Sequence, residues 1–446
     1  MKKFLFICIL AISVCACVSD EPNAQIMEQD SNISSKYRTT EEILDIAANA
    51  VNMLSDAFDP EVTSRSFGRT VDFSTPVYHI CNIASRFNSI DTLMHVVNYA
   101  NDMGFAIISA KRNFPEVLAV TESGHYNPAE PSEIEGFNMW IDQMQDALEW
   151  KDIHDIDTTS MKGKDDPIND KIPVIKPKTV RDTVWLHHIR DRVRVKWGQD
   201  KKRLENACEG DYYPNQCAGC SNIAMAMAMT FVERPTSLVM TFVNETYPTA
   251  LNWTEIKKYL SLDAKTLEIF PSSSYPIRLT VSQLCRELGK RTNSVYYYGY
   301  GEDSSTTKTD PAETIRVLKE LGVTTQANWI DGNGVSWYEV LKNSSEECIL
   351  LVRATDSNGD DGHQWICDGI QNYKIRERYY ESEDAGITWR LKDTSYSPEY
   401  YYNHYNWGWH GYCNGYYYNV DTYTRSQGQL TGHNFDKNQQ YIKISK

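Results

Sequence analysis

The first third of the chain carries one helical pattern followed by several strand patterns. Thr39-Thr-Glu-Glu-Ile43 has a capping threonine and glutamates in the first turn, which is typical of a helix start. Apolar residues then recur on one helix face: Ile43, Ile46, Ala47, Val51 and Leu54. Four apolar runs predict strands: 77–80, 92–98, 104–109 and 117–120. Residues 39–150 therefore form a predicted small α+β domain.

The next segment, 151–185, differs in composition, because it is rich in Lys, Asp and Pro and shows little periodicity. Such a segment is typical of an exposed linker, where proteases cleave most readily. Residues 186–446 return to apolar patterns, with strand-like runs at 348–352, 364–367 and 440–445. This second region is predicted to be a larger α+β domain, so the chain has two domains joined by a processing linker.

The extreme N-terminus has the pattern of an export signal. Lys2 and Lys3 precede an apolar run at 4–14, which is too short to span a membrane, and small residues follow it. A cysteine at this place resembles a bacterial lipoprotein signal, with Cys17 as the lipid-bearing residue. An ordinary secretory signal is the alternative. Residues 1–17 are thus predicted to be a signal region and 18–38 a tether, in a protein that works outside the cytoplasm.

Net charge and cysteine content limit the kinds of binding partner and disulfide framework that the chain can have. The formal net charge of -15 argues against nucleic acid or an anionic membrane surface as the main partner. The eleven cysteines include three in the signal region, and the others are widely and irregularly spaced. That spacing is unlike a compact disulfide scaffold, although it is compatible with one or two bridges.

Cys220 begins a small, apolar segment that ends before Arg234-Pro235, which predicts a buried helix of about three turns. A helix N-terminus favours a thiolate, so Cys220 is a candidate nucleophile; a buried structural cysteine is the alternative. Cys217 and Cys220 also form a Cys-x-x-Cys pair. A zinc site would need two more ligands, and a redox pair should follow a strand, so no metal or cofactor is expected.

A nucleophilic cysteine needs a base and a group that orients the base. His363 lies in "DSNGDDGHQWICDG", where a strand start can present its ring at the rim of a sheet. Asn406 lies in "NHYNWGWHG", and an Asn oxygen can accept the N–H of an imidazolium while a neighbouring Trp excludes water. The alternatives are an ordinary loop histidine and an aromatic sheet face.

Together, "GC" followed by "AMA", "GH" followed by "DG", and "NWGW" resemble the streptopain family of papain-like cysteine peptidases. The segment 197–199 resembles the family's Trp-x-Gln motif, and 104–127 resembles its inhibitory propeptide. The resemblance implies that Cys220 is the nucleophile, His363 the general base and acid, and Asn406 the group that orients the ring. It also implies that Trp407 shields this pair, and that Gln199 donates to the oxyanion with the Cys220 backbone N–H.

The resemblance implies a papain-like fold, with the nucleophile helix packed on an antiparallel sheet at 186–446, behind an inhibitory prodomain at 39–150. The implied function is a cysteine endopeptidase zymogen that cleaves protein or peptide substrates through a thioester acyl-enzyme. Its own prodomain is the implied intramolecular inhibitor, and a lipid anchor would be its only membrane attachment. The protein would lie at the cell surface or outer membrane, or be released after maturation.

Some positions depart from the family pattern, which leaves parts of the site open. "GHAF" has become "GHQW", "NWGWGG" has become "NWGWHG", and Gln216 competes with Gln199 as oxyanion donor. The bulk of Gln364 and Trp365 beside the histidine leaves substrate preference undetermined. Two other functions remain as alternatives: a non-catalytic surface lipoprotein that binds through the same fold, and a transglutaminase-like acyl transferase.

Overall fold

The computed structural model describes residues 36–54, 80–84, 92–130, 132–154, 178–199, 218–242, 245–258, 275–297, 306–332, 335–355, 362–382, 388–419 and 439–446. The helices are α1 (Thr40–Ala50), α2 (Glu135–His154), α3 (Cys220–Val232), α4 (Trp253–Lys258), α5 (Tyr275–Arg291), α6 (Pro311–Glu320) and α7 (Trp337–Lys342), with 3-10 turns at Val51–Leu54 and Ala100–Asp102.

The strands are β1 (Ile80–Ala84), β2 (Thr92–Asn98), β3 (Phe105–Ser109), β4 (Val117–Thr121), β5 (Lys178–Ile189), β6 (Ser237–Phe242), β7 (Glu245–Ala250), β8 (Val295–Tyr297), β9 (Thr306–Lys308), β10 (Thr324–Thr325), β11 (Ile330–Asp331), β12 (Cys348–Thr355), β13 (Gly362–Glu381), β14 (Arg390–Tyr396), β15 (Tyr400–Asn406), β16 (Gly415–Tyr418) and β17 (Gln440–Ser445). The predicted mixture of helices and antiparallel strands is confirmed, since every ladder is antiparallel.

The prodomain forms as its sequence pattern predicts. Thr39 caps α1, and Glu42 completes a capping box by accepting the Thr39 backbone N–H at 2.8 Å. The apolar face of α1 is buried through Ile43, Ala47 and Ala50. Strands β1 to β4 form an antiparallel meander, and β3 and β4 are buried along their whole length. Three of the four predicted strands match closely, and β1 begins at the last residue of the first run.

The ends of the predicted linker belong to regular structure. Helix α2 continues to His154, and strand β5 begins at Lys178 and pairs with β13 over eleven residue pairs. Residues 155–177 lie outside the described part of the chain. The sequence pattern did not predict these elements, because charged residues are frequent at both ends of the 151–185 segment. Strand β5 is also largely solvent-exposed on one face and lacks an apolar run.

One sheet runs through both domains. Its strand order is β1-β2-β3-β4-β16-β15-β13-β12-β17-β10, with β5 and β14 also pairing with β13. The junction is the antiparallel pairing of β4 with β16, in which Val120 faces Tyr416. The predicted prodomain is therefore hydrogen-bonded to the predicted catalytic domain along a strand edge.

Two hydrophobic cores lie on opposite faces of this sheet. Along β12, Leu350 and Val352 belong to the core shared with the prodomain, whereas Ile349 and Leu351 pack with α3. This alternation follows from the two-residue period of a strand. Helix α3 is buried from Ser221 to Phe231, because its small and apolar side chains allow it to sit deep against the sheet. Among the residues that the model describes, no helix is long and apolar enough to cross a membrane.

Candidate active site

Cys220 is the first residue of α3, as predicted, and follows Gly219, whose φ of 92° suits only glycine without strain. The thiol is partly buried, and loss of water around it raises its pKa to about 11. The nearby carboxylate of Glu135 raises this pKa further, while a backbone hydrogen bond at Gln364 lowers it. In this state desolvation therefore opposes the thiolate that the helix N-terminus favours.

His363 lies at the start of β13, on the face of the sheet that the prodomain covers. Its ring stacks on Trp365, with centroids 6.1 Å apart and planes inclined by 16°. Its Nε2 is 2.8 Å from the backbone oxygen of Trp407, and its Nδ1 is 3.9 Å from a carboxylate oxygen of Glu135. Burial lowers the pKa of His363, which favours the neutral ring, although Glu135 and the Trp407 carbonyl oppose this effect.

The N-terminal turn of α2 packs over the His363 ring. Gly136 lies so close to the site that a Cβ atom there would be 2.5 Å from Cζ3 of Trp407 and 3.2 Å from Cδ2 of His363. Phe137 and Trp140 of the same helix pack against Tyr417 of β16. The prodomain helix therefore closes over the imidazole through backbone and aromatic contact together.

Asn406 and Trp407 are both buried at the end of β15. The Asn406 amide nitrogen donates to the Val195 oxygen at 2.8 Å, and its side-chain oxygen accepts the Gly408 N–H at 3.3 Å. Trp407 donates its indole N–H to the Cys413 oxygen at 3.0 Å. Asn406 is thus bonded to neighbouring backbone rather than to the imidazole in this state.

Gln199 lies beside the nucleophile loop. Its backbone oxygen accepts the Ala218 N–H at 2.8 Å, two residues before Cys220. Trp197 is fully buried, and Gly198 forms an antiparallel bridge with Trp409. The Trp-x-Gln segment is therefore fixed between the start of α3 and the loop after β15.

The structure brings Gln199 and the Cys220 loop together, and His363 and Trp407 together. No hydrogen bond or ion pair joins His363 to Cys220 or to Asn406 in the described ranges. Along β13, Trp365 belongs to the core shared with the prodomain and Ile366 to the core around α3, so strand parity places His363 on the prodomain face. Three residues singled out in the sequence lie outside the described part of the chain: Cys17, Gln216 and Cys217.

Sequence reasoning missed a buried ionic cluster at the β4–β16 junction. Glu122 of the prodomain lies 2.6 Å from Nζ of Lys196 and 3.7 Å from Nε2 of His404, and His404 Nδ1 lies 2.7 Å from Asp368. Burial opposes the charge of His404, but the two carboxylates outweigh it and raise the pKa to about 10. No sequence spacing links these residues, because the pairing of β4 with β16 creates the cluster.

Glu135 was also missed, because a single glutamate at a helix start is usually explained by the helix dipole. The one available signal was its place inside the predicted inhibitory domain, directly before a glycine. Four buried cysteines besides Cys220 carry free thiols: Cys285, Cys348, Cys367 and Cys413.

A cysteine at a helix start, a histidine at a nearby strand start and a second domain whose helix closes over the histidine are the arrangement expected of a latent thiol enzyme. Comparison with family models agrees with this class. Residues 197–417 match the Peptidase C10 family, and residues 62–148 match the Spi protease inhibitor. The chain belongs to the Peptidase C10 family, the streptopain family, and is a cysteine endopeptidase that carries an inhibitory propeptide.

Solved structures with similar folds include two from Prevotella intermedia. A cysteine-to-alanine variant of a prointerpain A fragment is 14% identical, with a TM-score of 0.47, and the match covers 82% of this chain and 98% of that one. Active wild-type interpain A cysteine protease is 17% identical, with a TM-score of 0.33, over 57% and 94% of the two chains. A search of curated proteins found no match.

Proposed function

We propose that this zymogen matures into an endopeptidase in which Cys220 attacks the peptide carbonyl, His363 acts as base and acid, and Asn406 orients the imidazole. Gln199 and the Cys220 backbone N–H would stabilise the oxyanion, and Trp407 would shield the His–Asn contact. The observation that carries the proposal is that Cys220 and Gln199 meet at one helix start, next to the strand start that bears His363.

We infer that desolvation contributes to latency. Burial raises the pKa of Cys220 to about 11 and lowers the pKa of His363, which favours the neutral form of each group. A neutral thiol is a poor nucleophile, and the ion pair of an active thiol enzyme requires both charges. Removal of the prodomain takes Glu135 and Gly136 away and frees His363 to turn toward Cys220. Its position directly after Gly362 at the strand start favours that movement.

Peptide hydrolysis by the matured chain is the direct test. We expect activity that a thiol alkylator blocks, complete loss in Cys220→Ala, and unchanged activity in the neighbouring Cys217→Ala control. Full activity in Cys220→Ala, with loss in Cys217→Ala, would contradict the assignment. Amine incorporation faster than hydrolysis would instead favour acyl transfer.

We also propose that the chain is exported and lipidated at Cys17. Support comes from the basic, apolar and small-residue order of the first 17 residues. We expect Cys17→Ser to abolish incorporation of a labelled fatty acid, while Cys15→Ser retains it. Labelling that persists in Cys17→Ser would contradict lipidation at this residue.

A further inference from the structure

His410 occupies a backbone conformation that favours glycine. Its φ is 57°, and the loop around it contains two glycines in the same region, Gly408 at 71° and Gly411 at 84°. A residue with a Cβ is strained there, and such strain persists only where the surroundings hold it. This is also the position at which "NWGWGG" is replaced by "NWGWHG". The contacts of the His410 side chain should therefore show what it contributes at this position.

The buried imidazole of His410 packs against Gly198. A Cβ atom at position 198 would overlap with three atoms of the His410 ring, so the ring fills the space that a side chain there would take. The backbones are joined as well, since the His410 N–H donates to the Trp197 oxygen at 3.2 Å and Gly198 bridges Trp409. His410 thus holds the 197–198 segment by its ring and by its backbone.

The same segment leads directly to the nucleophile. Gln199 follows Gly198, and its oxygen accepts the Ala218 N–H at 2.8 Å, which ties it to the loop before Cys220. Any displacement of Gly198 toward the space of the His410 ring therefore moves Gln199 relative to Cys220. A misplacement of about 1 Å in a catalytic group can lower a rate by roughly 100-fold.

The contact belongs to the catalytic domain alone. Away from Gly198, His410 borders a cavity of about 380 Å³, whose other walls include the prodomain residues His125, Glu130 and Glu133. Because His410 and Gly198 both lie after the processing linker, removal of the prodomain leaves their contact in place.

We propose that His410 is a positioning residue, whose ring against Gly198 holds Gln199 at the oxyanion site. The proposal rests on the proposed function, in which Gln199 donates to the oxyanion. The strained φ makes the proposal testable, because His410→Gly removes the ring and relieves the strain in one substitution. If His410 served only stability, this substitution would not lower kcat while leaving the melting temperature unchanged.

The test uses the full chain after maturation, with a peptide substrate and three single variants. We expect His410→Gly to lower kcat by about tenfold with KM within about twofold of wild type, and without a lower melting temperature. His410→Asn, whose side chain tolerates this φ and keeps a planar group, should recover part of kcat. Asn293→Gly is the matched control, because Asn293 also has a positive φ, of 50°. It lies in the turn that follows α5. The Asn293→Gly variant should leave both constants unchanged.

A double variant separates positioning through Gln199 from an independent effect. Gln199→Ala should lower kcat by roughly 100-fold, and adding His410→Gly should lower it little further. Multiplicative losses in the double variant, wild-type kcat in His410→Gly, or a rate loss that follows a fall in melting temperature would each overturn the proposal. An inactive but folded wild type would overturn the proposed function, and this proposal with it.

Discussion

Gly136→Ala tests the closure of the prodomain helix over the site. The added methyl carbon would lie 2.5 Å from Cζ3 of Trp407, whereas carbon atoms pack best at about 3.5–4.0 Å. The helix or the indole must therefore move by about 1 Å. Trp407 is buried and donates its indole N–H to Cys413, so we expect the helix to move.

The magnitude follows from two opposing effects. Overpacking of this kind costs about 1–3 kcal/mol. Alanine is favoured over glycine inside a helix by about 0.5–1 kcal/mol, which offsets part of the cost. The net weakening of closure lies between about 0 and 2.5 kcal/mol, and its midpoint of about 1.2 kcal/mol corresponds to roughly an 8-fold larger open population.

Alkylation of Cys220 by iodoacetamide in the unprocessed full chain, followed by peptide mass spectrometry, measures this population. We expect the rate to increase by the same factor, because opening removes Glu135 and admits water to the thiol. Gln145→Ala, on a partly exposed position of the same helix, is the control and should react like wild type. Equal rates in Gly136→Ala and wild type would refute the steric argument.

Further predictions concern charge. Glu135→Gln removes the carboxylate that raises the pKa of Cys220, so alkylation of the zymogen at pH 8 should accelerate; an unchanged rate would exclude this carboxylate as a cause. In the wild-type zymogen, alkylation should rise about tenfold per pH unit from pH 7 toward the pKa of about 11, and a plateau near pH 8 would contradict the raised pKa. Glu122→Gln should lower the free energy of unfolding of the full chain by roughly 1–3 kcal/mol, a range that allows for the partial solvent exposure of Lys196. Urea unfolding measures this change. An unaltered urea midpoint would show that the ionic cluster does not stabilise the fold. The carboxylates raise the pKa of His404 to about 10, so protonation of His404 stabilises the folded chain by an amount on the order of a few kcal/mol. This stabilisation is complete below about pH 6.5 and is lost as the pH rises to about 10. The melting temperature of wild type should fall over this range, and that of His404→Gln should not show this fall.

Local sequence was sufficient where an element depends on its own residues. The capping box at Thr39 and the apolar runs of α3 and β2 each predicted the element that forms, because caps, helices and short strands are set largely by neighbouring residues. The order of Cys220, His363 and Asn406 also led to the family without tertiary information.

Contacts between distant residues could not be read in this way. The pairing of β4 with β16 joins positions almost 300 residues apart, and it alone brings Glu122 to Lys196 and His404. The direction of the His363 ring depends on which face of β13 the prodomain covers, and a strand pattern does not specify what packs on each face. Local pattern therefore determined many of the elements and the candidate reacting groups. Register, sheet face and burial, which depend on residues distant in the chain, decided that the prodomain covers His363 and that loss of water raises the pKa of Cys220 and lowers that of His363.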